Sequence, residues 1–274
     1  MIFMRNIRLL TIDIDGTLVS DKFIISQANQ EALHKAEEAG IILALASGRP
    51  FESCMKLVNK LKLKSKYHII SDGAWCGDKE GNELFCQPIH NLLIEQIVDF
   101  ARRIGLHIEL YTLHHGYAEI KNWSDYVHVN YLGVHIKYQP FDEFWQKDSI
   151  LKIGLLSKDD DEMALISQME ERFGHLLNFS CASAPCAPDV HFINIVHQDV
   201  NKGIALKKLS AYYGLTTAQI AAIGDGINDI PLLEAAGLAV AMENAKAALK
   251  EKAHMVTGHV GADGVAEFIN DYLL

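Results

Sequence analysis

Short apolar runs with no polar interruption dominate both ends of this chain: "IRLLTID", "IILALAS" and "YHIIS" early, "QIAAIG" and "LAVAM" late. A strand with one wet face alternates apolar and polar residues, and these runs do not. They read as strands covered on both faces, which calls for a parallel sheet with helices packed on either side. The spaces between them have helical spacing. "SQANQEALHKAEEAG" starts a helix at about Ser26 and closes on Gly40 as a left-handed cap, and "FESCMKLVNKLK" follows the second run. Late in the chain "NKGIALKKLSAYYG", "INDIPLLEAA", "AKAALKEKA" and "VAEFINDYLL" read as helices. The fold expected is α/β, a Rossmann-like parallel-sheet core with right-handed crossovers.

The pattern changes in the middle. "IHNLLIEQIVDFARRIG" and "DEMALISQMEERFG" read as helices, "HIELYT" and "YAEIKN" as paired strands, "ILKIGLLS" and "HFINIV" as further strands. Helices mixed with adjacent strands describe an α+β unit. The expected organisation is a core made of residues 1–86 and 195–274, interrupted by an inserted domain at 87–194.

Composition narrows the partners. With 49% apolar and 22% charged residues the chain can bury a core, and its net charge of −10 argues against a surface that tracks nucleic-acid phosphates. "KLKLKSK" (Lys60 to Lys66) is the densest basic stretch and reads as a solvated helix end. Cys54, Cys76, Cys86, Cys181 and Cys186 form no C-x-x-C pair, so reduced thiols of a cytoplasmic protein are expected, not a zinc or disulfide framework. No apolar run reaches membrane-spanning length, and the first residues do not read as a signal peptide. Nothing in the sequence points to an oligomeric state.

Chemistry-bearing residues recur where strands end. Asp13 and Asp15 close the first run, Ser47 the second, and "GDGIND" (Gly224 to Asp229) follows the penultimate one. Residues two apart on a strand share a face, so Asp13 and Asp15 would converge, and ionised carboxylates leave water only when something cationic compensates. In open α/β sheets ligands bind beyond the carboxyl ends of the strands. If the strands are neighbours, Asp13, Asp15, Asp225 and Asp229 gather in one crevice and demand a hard cation, with Mg²⁺ the expected one. The rest suits phosphate: the Ser47 hydroxyl and Gly48 N–H at a helix entry, the compact charge of Lys202, and the close backbone approach allowed at Gly16, Thr17 and Gly226. Each piece alone has a plainer reading as a turn, an acidic loop or a surface lysine; it is their joint order that argues for a phosphoryl-transfer clamp.

Other features have plainer readings. "GDG" lacks the third glycine of a dinucleotide fingerprint, since Asp229 stands there. The adjacent His114 and His115 read as a surface loop, and "KDDDE" (Lys158 to Glu162) as acids suited to a helix start. Trp123 and Trp145 read as packing, whereas Trp75, just after a strand end, is a candidate pocket residue.

With "DIDGT", "ASGR", Lys202 in "NKG" and "GDGIND" in this order, the chain resembles the haloacid dehalogenase superfamily of Mg²⁺-dependent phosphohydrolases, specifically its Cof-like, type IIB branch. The resemblance covers the core at both ends, and the insertion falls where that branch carries an α/β cap. It implies that Asp13 is the nucleophile forming an aspartyl-phosphate and that Asp15 is the general acid, then base. It also implies that Mg²⁺ is held by Asp13, the Asp15 backbone carbonyl and Asp225, with Asp229 close by. Ser47 and Lys202 would hold phosphoryl oxygens, helped by Asn228. Two positions depart from the branch: Asp72 where Asn is frequent, which puts an extra negative charge near the site, and Leu232 where Met is frequent. The activity implied is phosphatase action on a small phosphorylated metabolite such as a sugar phosphate. A phosphomutase of the same superfamily is the alternative, with a phospho-acceptor signalling module or a non-catalytic metabolite-binding protein ranked below.

Overall fold

The computed structural model describes residues 6–20, 24–184 and 187–274. The first run forms strand β1 (Leu9–Ile12), every residue of which is buried. Helix α1 (Gln27–Glu38) follows, its start fixed by the Ser26 hydroxyl, which accepts from the Asn29 N–H at 3.0 Å. The chain leaves it through Gly40 at φ +84°, a conformation that costs glycine nothing. Strand β2 (Ile42–Leu45), helix α2 (Phe51–Leu61) and strand β3 (His68–Ile70) come next. β3 touches the parallel strands through a single bridge, Ala46 to Ile69, and otherwise pairs antiparallel with β4 (Trp75–Gly77), which pairs with β5 (Glu83–Cys86). That hairpin is absent from the sequence reading. Its turn is held by Asp78, whose carboxylate accepts from the N–H groups of Glu80 and Asn82 at 3.1 and 2.9 Å, and periodicity does not register such bonds.

The middle of the chain runs α3 (Asn91–Ile104), β6 (Glu109–Tyr111), β7 (Gly116–Ala118), α4 (Ser124–Val127), β8 (Ile136–Tyr138), β9 (Lys152–Ser157), α5 (Asp160–Phe173), β10 (Leu177–Ala184) and β11 (Ala187–His197). Its six strands lie in the order β10-β11-β9-β6-β7-β8, antiparallel except for β7 with β8. α3 and α5 supply Ile94, Ile97, Ile166 and Phe173 to a hydrophobic cluster with the sheet. β8 and β10 are strands the sequence reading omits. The acids of "KDDDE" cap α5, with Asp159 accepting from the Glu162 N–H at 2.9 Å. Trp145 is buried in the cluster and Trp123 donates to Glu162 at 2.6 Å.

The chain then returns through α6 (Lys202–Tyr212), β12 (Ile220–Gly224), α7 (Ile230–Glu234), β13 (Leu238–Met242), α8 (Ala247–Lys250), β14 (Met255–Thr257) and α9 (Gly264–Phe268). Five strands form a wholly parallel sheet in the order β14-β13-β12-β1-β2. β14, three residues long, is a strand the sequence reading omits. From β1 the chain proceeds outward to β2 on one side and later to β12 on the other. The order therefore reverses at β1, and a crevice opens beyond the carboxyl ends of β1 and β12.

Trp75 is not a pocket residue. It is 1% exposed, its ring edge-to-face with Phe51 at 5.3 Å, in space that Gly77 leaves open: a Cβ there would lie 2.3 Å from the Trp75 ring. His114 packs edge-on against the same Phe51 at 5.4 Å. Leu232 is fully buried, as a packing position should be. Cys54, Cys76, Cys86 and Cys181 carry free thiols, and Cys186 lies outside the described residues. Among the described residues no helix is long and apolar enough to cross a membrane.

Candidate active site

The crevice collects the acidic residues because β1 and β12 are neighbours. Asp13 continues the ladder for one residue past β1, its N–H donating to the Ile223 carbonyl at 3.0 Å, and Asp225 follows the end of β12 directly. The backbone must then turn sharply at Gly16, which has φ +85° and would place a Cβ 2.3 Å from an Asp225 carboxylate oxygen. Only glycine fits there. Lys202, the first residue of α6, enters from the other side. Its helix start is fixed by the Asn201 side chain, which accepts from the Ile204 N–H at 2.8 Å. The buried ammonium donates to Asp13 at 2.5 Å and to Asp229 at 2.6 Å. The second oxygen of Asp229 accepts from the N–H groups of Asp225 and Gly226 at 3.1 and 3.0 Å, so this carboxylate braces its own loop.

The four acids gather in one crevice as expected, but the Asp15 carboxylate is held apart from the other three. Only Asp13, Asp225 and Asp229 bring ligand atoms within 4.8 Å of one another among the described residues. The strand ends at Ile12, so the two-residue alternation no longer applies at Asp15. The guanidinium of Arg49 takes both oxygens of Asp15, at 2.6 and 2.8 Å. This fork-to-fork geometry fixes the carboxylate plane. Thr17 also departs from its expected place on substrate: it is fully buried, and its hydroxyl donates to Asp225 at 2.8 Å, orienting that carboxylate.

Burial and repulsion from Asp229 push the Asp13 carboxyl well above the usual range, against the pull of Lys202. The same two causes push Asp225 up to about 7. For Lys202 burial works toward a lower pKa, but Asp13 and Asp229 outweigh it and hold the ammonium above its ordinary value. Three carboxylates against one ammonium leave two negative charges in excess, with Asp15 already matched by Arg49. At such separations each like-charged pair repels by roughly 3–4 kcal/mol. A small divalent cation with oxygen ligands fits that donor set and that excess.

The pH dependence follows. A carboxyl whose folded pKa is raised contributes stability that is complete below its ordinary value and is lost as pH rises through the folded one. EDTA-treated protein should therefore lose stability between about pH 4 and pH 7 through Asp225. A divalent cation held by these carboxylates would compete with those protons, so the stabilisation by added Mg²⁺ should grow over the same window, to about 2.7 kcal/mol at a hundredfold excess over Kd. Thermal melts at pH 5 and pH 8, with EDTA or Mg²⁺, check this. An equal Mg²⁺ shift at both values would contradict it.

The remaining predicted residues face the same cavity. Ser47 is buried, and its hydroxyl accepts from the Arg49 N–H at 3.1 Å; Gly48 and Asn228 line the wall beside it. Asp72, in the left-handed region at φ +53°, accepts from the Ser180 hydroxyl at 3.0 Å, and its charge stands beside Gly48. Sequence reasoning missed Arg49, although it ends the quoted "ASGR", because nothing local says that it reaches Asp15. It also missed the wall contributed by the middle segment: Glu109, Tyr111, His128, Lys152 and Asn194. The only local signal was a charged residue inside an apolar run, as in "HIELYT" and "ILKIGLLS".

Residues 10–269 match the family model of haloacid dehalogenase-like hydrolases. The chain is 30% identical to the 5-amino-6-(5-phospho-D-ribitylamino)uracil phosphatase YcsE of Bacillus subtilis, over 98% of this chain and 97% of that one. It is 27% identical to the HMP-PP phosphatase of Yersinia pestis, over 97% and 95%. Among solved structures, a haloacid dehalogenase-like hydrolase from B. subtilis superposes with a TM-score of 0.84 at 25% identity, over 97% of this chain and 99% of that one. One from Bacteroides thetaiotaomicron does so with 0.84 at 27%, over 96% and 98%. With the parallel sheet, the acidic crevice and a family match over nearly its whole length, the chain belongs to the haloacid dehalogenase-like hydrolases, whose named relatives here are phosphatases.

Proposed function

We propose that this chain is a cytoplasmic, Mg²⁺-dependent phosphatase that hydrolyses the monoester of a small phosphorylated metabolite, of the sugar-phosphate class, through a phosphoryl group carried on Asp13. The observation that carries the reading is the buried Lys202 bridging Asp13 and Asp229 beside Asp225. A lone lysine cannot neutralise that cluster, and a metal–lysine–carboxylate set matches the charge of a transferring phosphoryl group. The names of the relatives point the same way, one describing a phosphate on a ribityl chain and the other naming a phosphatase.

Asp13, Asp225 and the Asp15 carbonyl would hold Mg²⁺, with Asp229 alongside; bound there, the ion neutralises the carboxylates and draws charge from the phosphoryl oxygens. The chain's own groups do the rest. A carboxylate oxygen of Asp13 attacks phosphorus, the bond to the alcohol oxygen breaks, and Asp15, which takes up a proton when substrate binds, gives it to that oxygen as it leaves. Water then attacks the phosphorus as Asp15 takes its proton, the bond to Asp13 breaks, and inorganic phosphate departs. Ser47, the Gly48 N–H, Lys202 and Asn228 bind the phosphoryl oxygens, and residues 87–194 act as a cap that excludes bulk water.

The test is phosphate release from a panel of phosphorylated metabolites and p-nitrophenyl phosphate, with Mg²⁺ or with EDTA. Release that depends on Mg²⁺ and on Asp13 supports the reading, and release indifferent to both sinks it. Arg49→Lys should lower kcat by roughly 10- to 100-fold with little change in KM, because a single ammonium cannot fix the plane of Asp15. Steady-state kinetics decide this: a change confined to KM would place Arg49 in substrate binding instead.

A further inference from the structure

The cap side of the cavity holds a buried cation for which the phosphoryl chemistry above has no use. Lys152, on β9, is 5% exposed and lines the cavity. Its ammonium donates to the Gly48 carbonyl at 2.7 Å and lies 4.6 Å from the centre of the Tyr111 ring, and neither partner carries a charge. An ammonium has three donors, and no other described residue accepts from this one. Burial pushes it down to about 8 even though Asp72 and Glu109 pull the other way. A buried, under-partnered ammonium is costly, so its retention calls for a ligand.

Its surroundings are built to keep it there. A Cβ on Gly116 or on Gly154 would lie 2.7 or 2.8 Å from the Tyr111 ring, so two glycines on the strands flanking β6 open the slot that this ring fills. The Tyr111 hydroxyl donates to Glu109 at 2.8 Å. Glu109 also accepts from Ser124 at 2.9 Å and sits 2.7 Å from His128 Nε2. Burial pushes the Glu109 carboxyl up, but His128 and its other hydrogen-bond donors hold it below the usual range and thus ionised. His128 Nε2–H therefore points at the carboxylate, leaving His128 Nδ1, which is buried without a partner.

We propose, resting on the phosphatase reading, that Lys152 is the cap residue that reads the leaving group, donating to an oxygen of a neutral, hydroxyl-rich alcohol. A second phosphate is disfavoured by the charge balance. At this end of the cavity Lys152 faces two carboxylates, Glu109 and Asp72, so the sum is negative while the two histidines beside Glu109, His107 and His128, are neutral, and only protonating both would make it positive. No positive excess is left for another dianion, which also argues against a phosphomutase holding a bisphosphate. Hydroxyls, which both donate and accept, suit a wall presenting the Lys152 ammonium and the Asn194 amide.

The experiment compares kcat/KM for sorbitol 6-phosphate, phenyl phosphate and fructose 1,6-bisphosphate, with Mg²⁺, in the native protein and in Lys152→Met. The native protein should prefer sorbitol 6-phosphate to the bisphosphate. Lys152→Met should lose about tenfold more on sorbitol 6-phosphate than on phenyl phosphate, whose leaving group offers the lysine no hydroxyl. Equal losses on both esters would overturn the proposal and leave the phosphatase reading standing, since Lys152 would then serve closure or the phosphoryl group. If the variant fails to fold, the native ranking decides, and preference for the bisphosphate overturns the proposal. Release from none of the three esters by the native protein would remove the phosphatase reading and this proposal together.

Discussion

Asp13→Asn should fold normally and lose turnover by roughly 10⁴-fold or more, the scale on which enzymes lose activity with their nucleophile. The substitution removes one of three crowded carboxylates and leaves Lys202 paired with Asp229. Repulsion falls, so EDTA-treated Asp13→Asn should melt no lower than the native protein. Its stabilisation by Mg²⁺ should shrink, because one of the proposed ligands is gone. Inactivity with an unchanged melt separates chemistry from folding. Asp15→Asn supplies the contrast. With p-nitrophenyl phosphate the leaving phenolate needs no proton, so transfer to Asp13 proceeds while hydrolysis stalls, and labelled phosphoryl should remain on the protein. Native-like turnover in Asp13→Asn, or label retained by that variant, would exclude the covalent route.

Lys202→Met should damage both stability and activity. Methionine nearly matches the volume of lysine, but Asp13 and Asp229 are then left buried without their shared cation. Removing one partner from a buried ion pair costs roughly 3–5 kcal/mol, where replacing the whole set need not. For a chain of this length that is a fall in Tm of roughly 6–20 °C. The sign with pH is fixed by linkage. Without the ammonium, Asp13 rises further above its ordinary range, so the folded protein binds protons more tightly and regains stability on acidification. The deficit should be largest at pH 8 and smallest at pH 5, and Mg²⁺ should recover part of it. Phosphate release should fall by at least roughly 100-fold, since the proposed phosphoryl ligand is lost as well. A Tm at pH 8 equal to that of the native protein would mean that the bridge contributes nothing.

The acidic constellation was legible in the sequence because its members sit at strand ends, and strand ends in a parallel sheet share one edge. Asp13 and Asp225 needed only the adjacency of β1 and β12. Asp15 shows where that logic stops: alternation holds inside a strand, and the turn through Gly16 breaks it. Its partner Arg49 lies 34 residues away, and no local pattern announces a contact of that kind. Thr17 was placed near the phosphate for its position beside a glycine, yet its hydroxyl is taken up by Asp225 across 208 residues.

What the sequence determined by itself was the layered α/β core and the identity of the charged residues, since unbroken apolar runs can only be buried and clustered carboxylates can only be compensated. Tertiary structure alone decided which charges pair. The Asp15–Arg49 fork, the Lys202 bridge and the seating of Lys152 on the Gly48 carbonyl depend on distances between segments far apart in the chain. Hydrophobic periodicity is a property of one segment and can be read along it. Electrostatic complementarity is a property of pairs, and exists only once the sheet has brought them together.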